Sequence, residues 1–436
     1  MTCRDFARKG ALCAALLVAV GSGVFACGDA GGGPAVAEPL PRDTVRVEVE
    51  PRVPEPHVID PGALPEPFAT ESTHSDPIVD PGETEVHLRA PPGFRIELWA
   101  GGLRGPRRAL ELDNGDLLVA ESFGLRVSLL RDASGDGRPD VRYSIVEGET
   151  RPFGLVVHDG WLYAGFEDAV VRARFRVGDT QLSSDPEIVT RLTGGGHWTR
   201  DLVLSDDGET LFVGVGSQSN YNGKGNEPPR RALILAMDPD GSNERVYASG
   251  LRNPAALALH PITGSLWTAV SERDGLGDDL PPDFATSVRE GGFYGWPYAY
   301  IGPHPEPRLA EQRPDLVAIS LVPDVLLQPH LTPLGMAFYN GDQFPEEYRG
   351  DLFVASHGSY NRATRIGYEV VRIPMDDTGH PGPGYTDFID GWRGSGGTRR
   401  VTGRPTGLLE LADGSLLVLD GGAGRLWRVS YGAPGS

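Results

Sequence analysis

RPTGLLELADGSLLVLDGG (residues 404–422), followed directly by GRLWRVSY (424–431), decides the fold. Leu, Val and Trp alternate with other residues in three short runs. Asp-Gly and Gly-rich turns separate the runs. That is the pattern of three antiparallel strands joined by tight hairpins. The unit opens with Arg-Pro, and its Pro precedes an apolar stretch.

The same unit recurs upstream. Copies begin at GPRRALELDNGDLLVAES (105–122), RPFGLVVHDGWLYAGF (151–166), WTRDLVLSDDGETLFVGVGS (198–217) and NPAALALHPITGSLWTAVSE (253–272). A fifth starts at TPLGMAFY and runs to YRGDLFVASHG (332–358). Third strands follow as RVSLLR, AVVRARF, LILAMD and GYEVVRIPM. Six copies of one supersecondary unit predict an all-β, six-bladed β-propeller. GFRIELWA (93–100) is a strand with no partner of its own, so it is expected to complete the last blade and close the ring. A sandwich or barrel accounts less well for six copies.

Bulk properties agree. The 436 residues carry 59 Gly and 38 Pro, which suits many turns rather than long helices. The net charge of −20 argues against nucleic acid as a partner, because phosphate recognition needs a basic surface. All three cysteines, Cys3, Cys13 and Cys27, precede the repeats, so the folded part has neither a disulfide nor a Cys-based metal site.

Three regions are expected. Residues 1–27 read as a lipoprotein signal peptide: a basic start, the apolar run Ala11–Val20, then VFAC with Cys27 as the lipidated residue. Phe25 is larger than usual there. This predicts export and lipid anchoring at Cys27, in the periplasm or at the outer membrane face. Residues 28–85, rich in Gly, Pro and acids, read as a disordered tether. Residues 86–432 form the propeller.

Each blade's inner strand begins at the channel mouth. The residues there are Arg107, Arg151, His197 with Arg200, Arg252 with Asn253, Thr332, and Arg404. None is acidic. Converging Arg side chains suit a small polyanion. The competing reading is that they brace turns between blades.

GGGHWTRDLVLSDDGETLFVGVGSQSN, GLRNPAALALHP, SERDGLGDDLPPDFATSVREGGFYGWP and HGSYNR resemble the PQQ-dependent sugar dehydrogenases, most nearly the L-sorbosone dehydrogenase-like branch. The similarity runs over roughly residues 93–431. It implies a quinoprotein that oxidises a sugar or related aldehyde, with calcium as activator. His197 falls on the family's catalytic base. Arg252 and Asn253 fall on residues that touch the quinone, Arg404 on an Arg that pairs with a PQQ carboxylate, and Arg151 and Thr332 on blade mouths facing it. The family's cofactor calcium is held by main-chain carbonyls at the Asp274–Gly275 position. Glu272, Asp278, Asp279, Asp283 and Tyr294 resemble a second, structural calcium site, with a plain acidic loop as the alternative.

Two positions depart from the family. Ser217 stands where a carboxylate orients the catalytic His, and Asp201 is the candidate replacement. The family's quinone-binding Lys is missing, with His357, Asn361 and Arg362 as candidate substitutes. Asp132 to Asp140 has the oxygen spacing of a calcium loop, but Tyr143 stands at the twelfth position, where Glu is required. No haem-attachment motif is present, so electrons are expected to leave through a respiratory acceptor. The alternatives are a non-enzymatic propeller that binds a glycan or protein at its top face, and a calcium-dependent lactonase.

Overall fold

The computed structural model describes residues 36–432 except 43, 81, 149, 224–226, 310 and 395–398. The expected signal peptide and Cys27 lie outside the described residues. No helix among the described residues is long and apolar enough to cross a membrane.

Six antiparallel sheets of four core strands make up the molecule. Their first strands are Pro106–Glu111, Pro152–His158, Leu202–Leu204, Pro254–Leu259, Pro333–Phe338 and Pro405–Glu410, here blades 1 to 6. Each first strand touches the next, and blade 6 returns to blade 1, so they line a closed ring. Phe94–Ala100 pairs antiparallel with Arg425–Tyr431 as the outer strand of blade 6. The chain therefore closes the ring with its own two ends, as the unpaired strand GFRIELWA predicts.

The local cause is the opening of each repeat. In blades 1, 2, 4, 5 and 6 the register shifts just after the leading Pro. Such a bulge bends the strand and re-aims its first side chains toward the channel mouth. Two inner strands also meet backbone to backbone. A Cβ on Gly335 would lie 2.5 Å from the Cα of Gly407, which is why the third residue of these repeats is Gly.

The core is a set of wedges between blades. Leu202, Leu211, Val213 and Leu235 of blade 3 pack on Tyr163 and Val170 of blade 2. Met336 and Val354 of blade 5 pack on Trp267 and Ala269 of blade 4. Each fully buried Leu, Val or Phe here stabilises the fold by about 1.5–3 kcal/mol. Truncating Leu235 to Ala opens a cavity and costs about 2–5 kcal/mol.

The expected tether is a correction. From residue 36 onward the segment is a strap bound along the propeller. Glu38–Pro39 adds to the outer strand of blade 1, and Pro56–His57 to that of blade 5. Arg46–Pro51 pairs in parallel with Glu85–Ala90, and Ile78–Val79 with Arg400–Val401. Val86 and Leu88, both at 0% exposure, enter the wedge between blades 5 and 6. Arg52 is paired with Asp387 (2.5 Å) and with Asp390, and Arg89 with Asp390 (2.6 Å). The segment cannot fold alone. It is ordered because blade edges offer it unpaired backbone groups and an apolar groove.

Candidate functional site

The cleft at the channel mouth is lined by residues of blades 3, 4 and 5, including His197, Arg252, Asn253, Glu272, Asp274 and His330. His197 sits on the loop entering blade 3. Its main chain is fixed from both sides. His197 N–H donates to Ser217 O (2.9 Å), and Arg200 Nη1 donates to His197 O (2.9 Å). Arg200 is fully buried and also donates to Thr199 O and Thr193 O, so it braces the loop, and its Nε is buried without a partner.

The ring of His197 has a defined tautomer. Ser217 Oγ donates to Ser219 O (2.6 Å), which leaves that oxygen only as an acceptor. His197 Nδ1 lies 3.0 Å from Ser217 Oγ and 2.9 Å from Ser217 O. Nδ1 therefore carries the proton, and Nε2 keeps its lone pair. Burial, then the Arg252 charge, push the imidazole down to about 3, so it is neutral at physiological pH. Ser217, the departure noted in the sequence, is thus the residue that orients the ring.

Asp201 does not replace the missing carboxylate. Its Oδ2 accepts from Leu257 N–H (2.8 Å) and lies 3.5 Å from Arg108 Nη1, and Oδ1 accepts from Leu202 N–H (3.1 Å). It points between inner strands, where burial raises its pKa. The local strand geometry aims it away from His197.

On the other wall Arg252 is 5% exposed and fully engaged. It donates to Asn220 O and Oδ1, Ser271 O and Glu272 O, and lies 3.6 Å from Asp274 Oδ2. Asn253 Oδ1 accepts from Thr199 Oγ1 (2.6 Å). Asp274 Oδ1 lies 3.1 Å from His330 Nδ1. Those partners hold its pKa near 2 against burial, which acts the other way. Asp283 accepts from Glu272 N–H and Thr332 N–H (both 2.7 Å), and burial lifts it to about 7. Thr332 is held at φ +59°, a strained value for a β-branched residue. His330 and Tyr360 also line the cleft, and the sequence reading did not single them out.

A basic cluster lies nearby. Arg107 is 5% exposed, its Nε is buried without a partner, and no carboxylate pairs with it among the described residues. Burial, then the charges of Arg404 and Arg151, pull it down to about 9. Its guanidinium lies 5.0 Å from the Trp198 ring centre, and that of Arg151 lies 5.1 Å from the same ring. Arg404 donates to His357 O and Gly358 O, and both Arg404 and His357 line a neighbouring cavity of about 380 Å³. Burial, with Arg404 and Arg107, depresses His357 strongly. Arg151 lies 3.5 Å from Glu167 Oε2, so within this cluster Arg107 and Arg404 are the two guanidinium groups without a paired carboxylate among the described residues.

Other expected ligands are used elsewhere. Arg362 donates to Asp278 O and Asp279 Oδ1 (both 2.6 Å), so it is neutralised and does not line the cleft. Asp278 Oδ2 accepts from Ala363 N–H (2.6 Å). Tyr294 is 2% exposed in the apolar wedge between blades 3 and 4, and its hydroxyl donates to Ser287 O (2.9 Å). Asp278, Asp279 and Tyr294 therefore do not converge on one point, which corrects the expected second calcium site. Among the described residues the only His/Cys/Asp/Glu trio within metal-sharing reach is Glu48, Glu85 and His87, on the strap. The Asp274 carbonyl accepts from Asn220 Nδ2 (2.9 Å), and that of Gly275 lies 3.4 Å from Arg308 Nη1. Glu272 Oε2 pairs with Arg273, and two carboxylate oxygens of this segment, Glu272 Oε1 and Asp278 Oδ1, are buried with no partner. Asp132 accepts from three loop N–H groups, and Asp136 pairs with Arg42 (2.8 Å), so that loop is a self-satisfied turn.

The site thus combines a six-bladed ring, a buried neutral imidazole at its mouth and an arginine cluster beside it. Residues 161–362 match the Glucose / Sorbosone dehydrogenase family, and 317–424 a TrAA12-like family. The first of these matches covers 202 of the 436 residues and spans the cleft residues from His197 to Asn361. The chain is 26% identical over 360 residues to an uncharacterized protein of Borreliella burgdorferi, covering 79% of this chain and 91% of that protein. It is 26% identical over 209 residues to the aldose sugar dehydrogenase YliI of Escherichia coli, covering 42% of this chain and 54% of that one. It is 26% identical over 331 residues to a pyrroloquinoline quinone-dependent pyranose dehydrogenase of Coprinopsis cinerea, covering 65% of this chain and 44% of that longer protein. The holo PQQ domain of the Coprinopsis cinerea pyranose dehydrogenase superposes with a TM-score of 0.65 at 23% identity, over 79% of this chain and 97% of that domain.

Proposed function

We propose that this protein is a PQQ-dependent dehydrogenase of a sugar or related aldehyde or alcohol. One observation supports the reading: His197, neutral and with Nε2 free, is followed by Trp198, whose ring centre lies 5.0 Å from the guanidinium of Arg107, a buried cation without a paired carboxylate. PQQ is a tricarboxylate, and Arg107 and Arg404 are the cations proposed to meet it, with Arg151, now facing Glu167, beside them. When bound, PQQ supplies the hydride-accepting carbonyl chemistry.

The chain's own residues do the rest. His197 takes the proton of the substrate hydroxyl at Nε2 while Ser217 holds Nδ1–H, which keeps the ring from turning. Arg252 and Asn253, both buried and hydrogen-bonded, set the opposite wall. A carboxylate ligand near Arg252 offsets the charge that depresses His197, so binding itself raises the basicity of the imidazole.

Calcium belongs to the same proposal. Glu272 lines the cleft, and its buried Oε1, which has no partner, is a hard oxygen donor. We also propose export with a lipid on Cys27, and a respiratory carrier as the electron acceptor. The test is turnover of a sugar panel with an artificial acceptor. PQQ- and calcium-dependent activity that His197→Ala lowers at least a hundredfold supports the reading. Activity indifferent to His197 removes it.

A further inference from the structure

Between residues 68 and 75 the strap bonds to the blade 4 and blade 5 loops that carry the cleft residues Asp274, Tyr360 and Asn361. On the blade 4 side, Phe68 N–H donates to Leu276 O (2.7 Å). There Ser72 Oγ accepts from Gly277 N–H (3.1 Å) and Thr70 Oγ1 from Asp278 N–H (2.8 Å). On the blade 5 side, Ser75 N–H donates to Tyr360 O (2.7 Å), and Arg365 donates to Ser75 O (2.6 Å) and Oγ (2.8 Å).

His74 lies between these anchors. Its Nδ1 is 2.7 Å from Asn361 Oδ1, and its ring meets Tyr360 edge-on at 5.8 Å. The protonation follows from the chain of partners. Asn361 lines the cleft with Asp274 and helps hold its pKa low, as a donor turned toward that carboxylate does, and a carboxylate can only accept. The Asn361 NH2 must face Asp274, and its oxygen must face His74. His74 Nδ1 is therefore the donor. Asp274 in turn holds His330 (3.1 Å) and faces Arg252 (3.6 Å). Asn361, Asp274, His330 and Arg252 share one cleft with His197.

We propose that His74 is a positioning residue of the oxidation site, fixing the Asn361 carboxamide and through it the Asp274–His330–Arg252 wall that faces His197. The proposal rests on the dehydrogenase reading. It makes the strap part of the active site. Without His74 the carboxamide is free to turn its oxygen toward Asp274. The wall would then lose a hydrogen bond and gain a repulsion.

The experiment uses the full chain. His74→Ala, His74→Asn, Asn361→Ala and the double variant H74A/N361A are assayed for kcat, KM and PQQ affinity by absorption titration. In His74→Asn the amide nitrogen sits where Nδ1 was. The side chain of His74 is 63% exposed, so these variants fold. H74A should lower kcat about tenfold, the size of one lost hydrogen bond, and H74N should restore it. On the N361A background H74A should cost nothing more. Wild-type kcat in H74A, or an equal loss in both backgrounds, overturns the proposal. A wild type with no PQQ-linked turnover overturns the function reading instead. Hydrogen exchange then judges the positioning alone: amides of 358–363 and 274–278 should open faster in H74A and not in H74N, and unchanged exchange refutes it.

Discussion

Replacing Arg107 with Met should stabilise the ligand-free protein and weaken PQQ binding. Arg107 is buried, its Nε lacks a partner, and Arg404 and Arg151 repel it. Burial, then those two charges, pull its pKa down to about 9, which disfavours the charged form by several kcal/mol at neutral pH. That penalty is complete below pH about 9 and fades above it. Relaxation and residual solvent reduce it, and the contacts with Trp198 and Phe123 return about 1 kcal/mol each. Met keeps the length of the side chain and its packing under those rings. The expected net gain is about 2 kcal/mol, a rise of a few degrees in melting temperature for a domain of this size. The same change removes a charge-assisted partner of the ligand. That should weaken PQQ by about 2–4 kcal/mol, or 30- to 1,000-fold. Thermal unfolding with and without PQQ reads both effects on one sample. A variant that is less stable when ligand-free and binds PQQ with unchanged affinity refutes the assignment of Arg107 to an anion site.

The stability of the ligand-free protein should fall as pH drops from 7 to 5, partly because His197 is held neutral at about 3. The unfolded state, with His near 6.5, binds the extra proton, so stability is complete above 6.5 and is lost below it. The His197 share is about 2 kcal/mol over that range, and a pH series of unfolding on His197→Gln should lack it. Ser217→Ala removes the Oγ acceptor and leaves the Ser217 carbonyl, so kcat should fall less than tenfold, whereas Asp201→Asn should leave the pH profile of kcat unchanged. Tyr294→Phe should leave calcium affinity, read by calorimetry, at the wild-type value, since its hydroxyl bonds Ser287 O inside an apolar wedge. Arg52→Ala breaks the strap's pairs with Asp387 and Asp390 and should cost about 1–3 kcal/mol, with limited proteolysis appearing first within residues 36–60.

The propeller was legible because its cause is local. The Pro that starts five of the six inner strands, the Gly that lets strands meet, and the Asp-Gly turns all recur in the chain. The closing strand followed from the same count, since 93–100 had no partner of its own. His197 was legible from its motif and its place at a blade mouth. Asp201 was not, because whether a side chain faces the cleft or the next strand depends on a register that spacing alone leaves open. Tyr294 and Arg362 failed for a related reason: one is packed in a wedge and the other is spent on Asp278 and Asp279, more than eighty residues away in the chain. The strap was misread because its order is borrowed. RVEVEP and EVHLRA alternate only when seen as partners 39 residues apart, as in Arg46 against Glu85. His74 was invisible from sequence because its partner Asn361 lies 287 residues away.

Equilibrium titration of the purified, metal-supplemented protein with PQQ, followed by absorption and melting temperature, tests the central claim most directly. The account predicts one saturable site, a calcium-dependent rise in melting temperature, and loss of that rise in Arg107→Met. No saturable binding in the presence of calcium would contradict it.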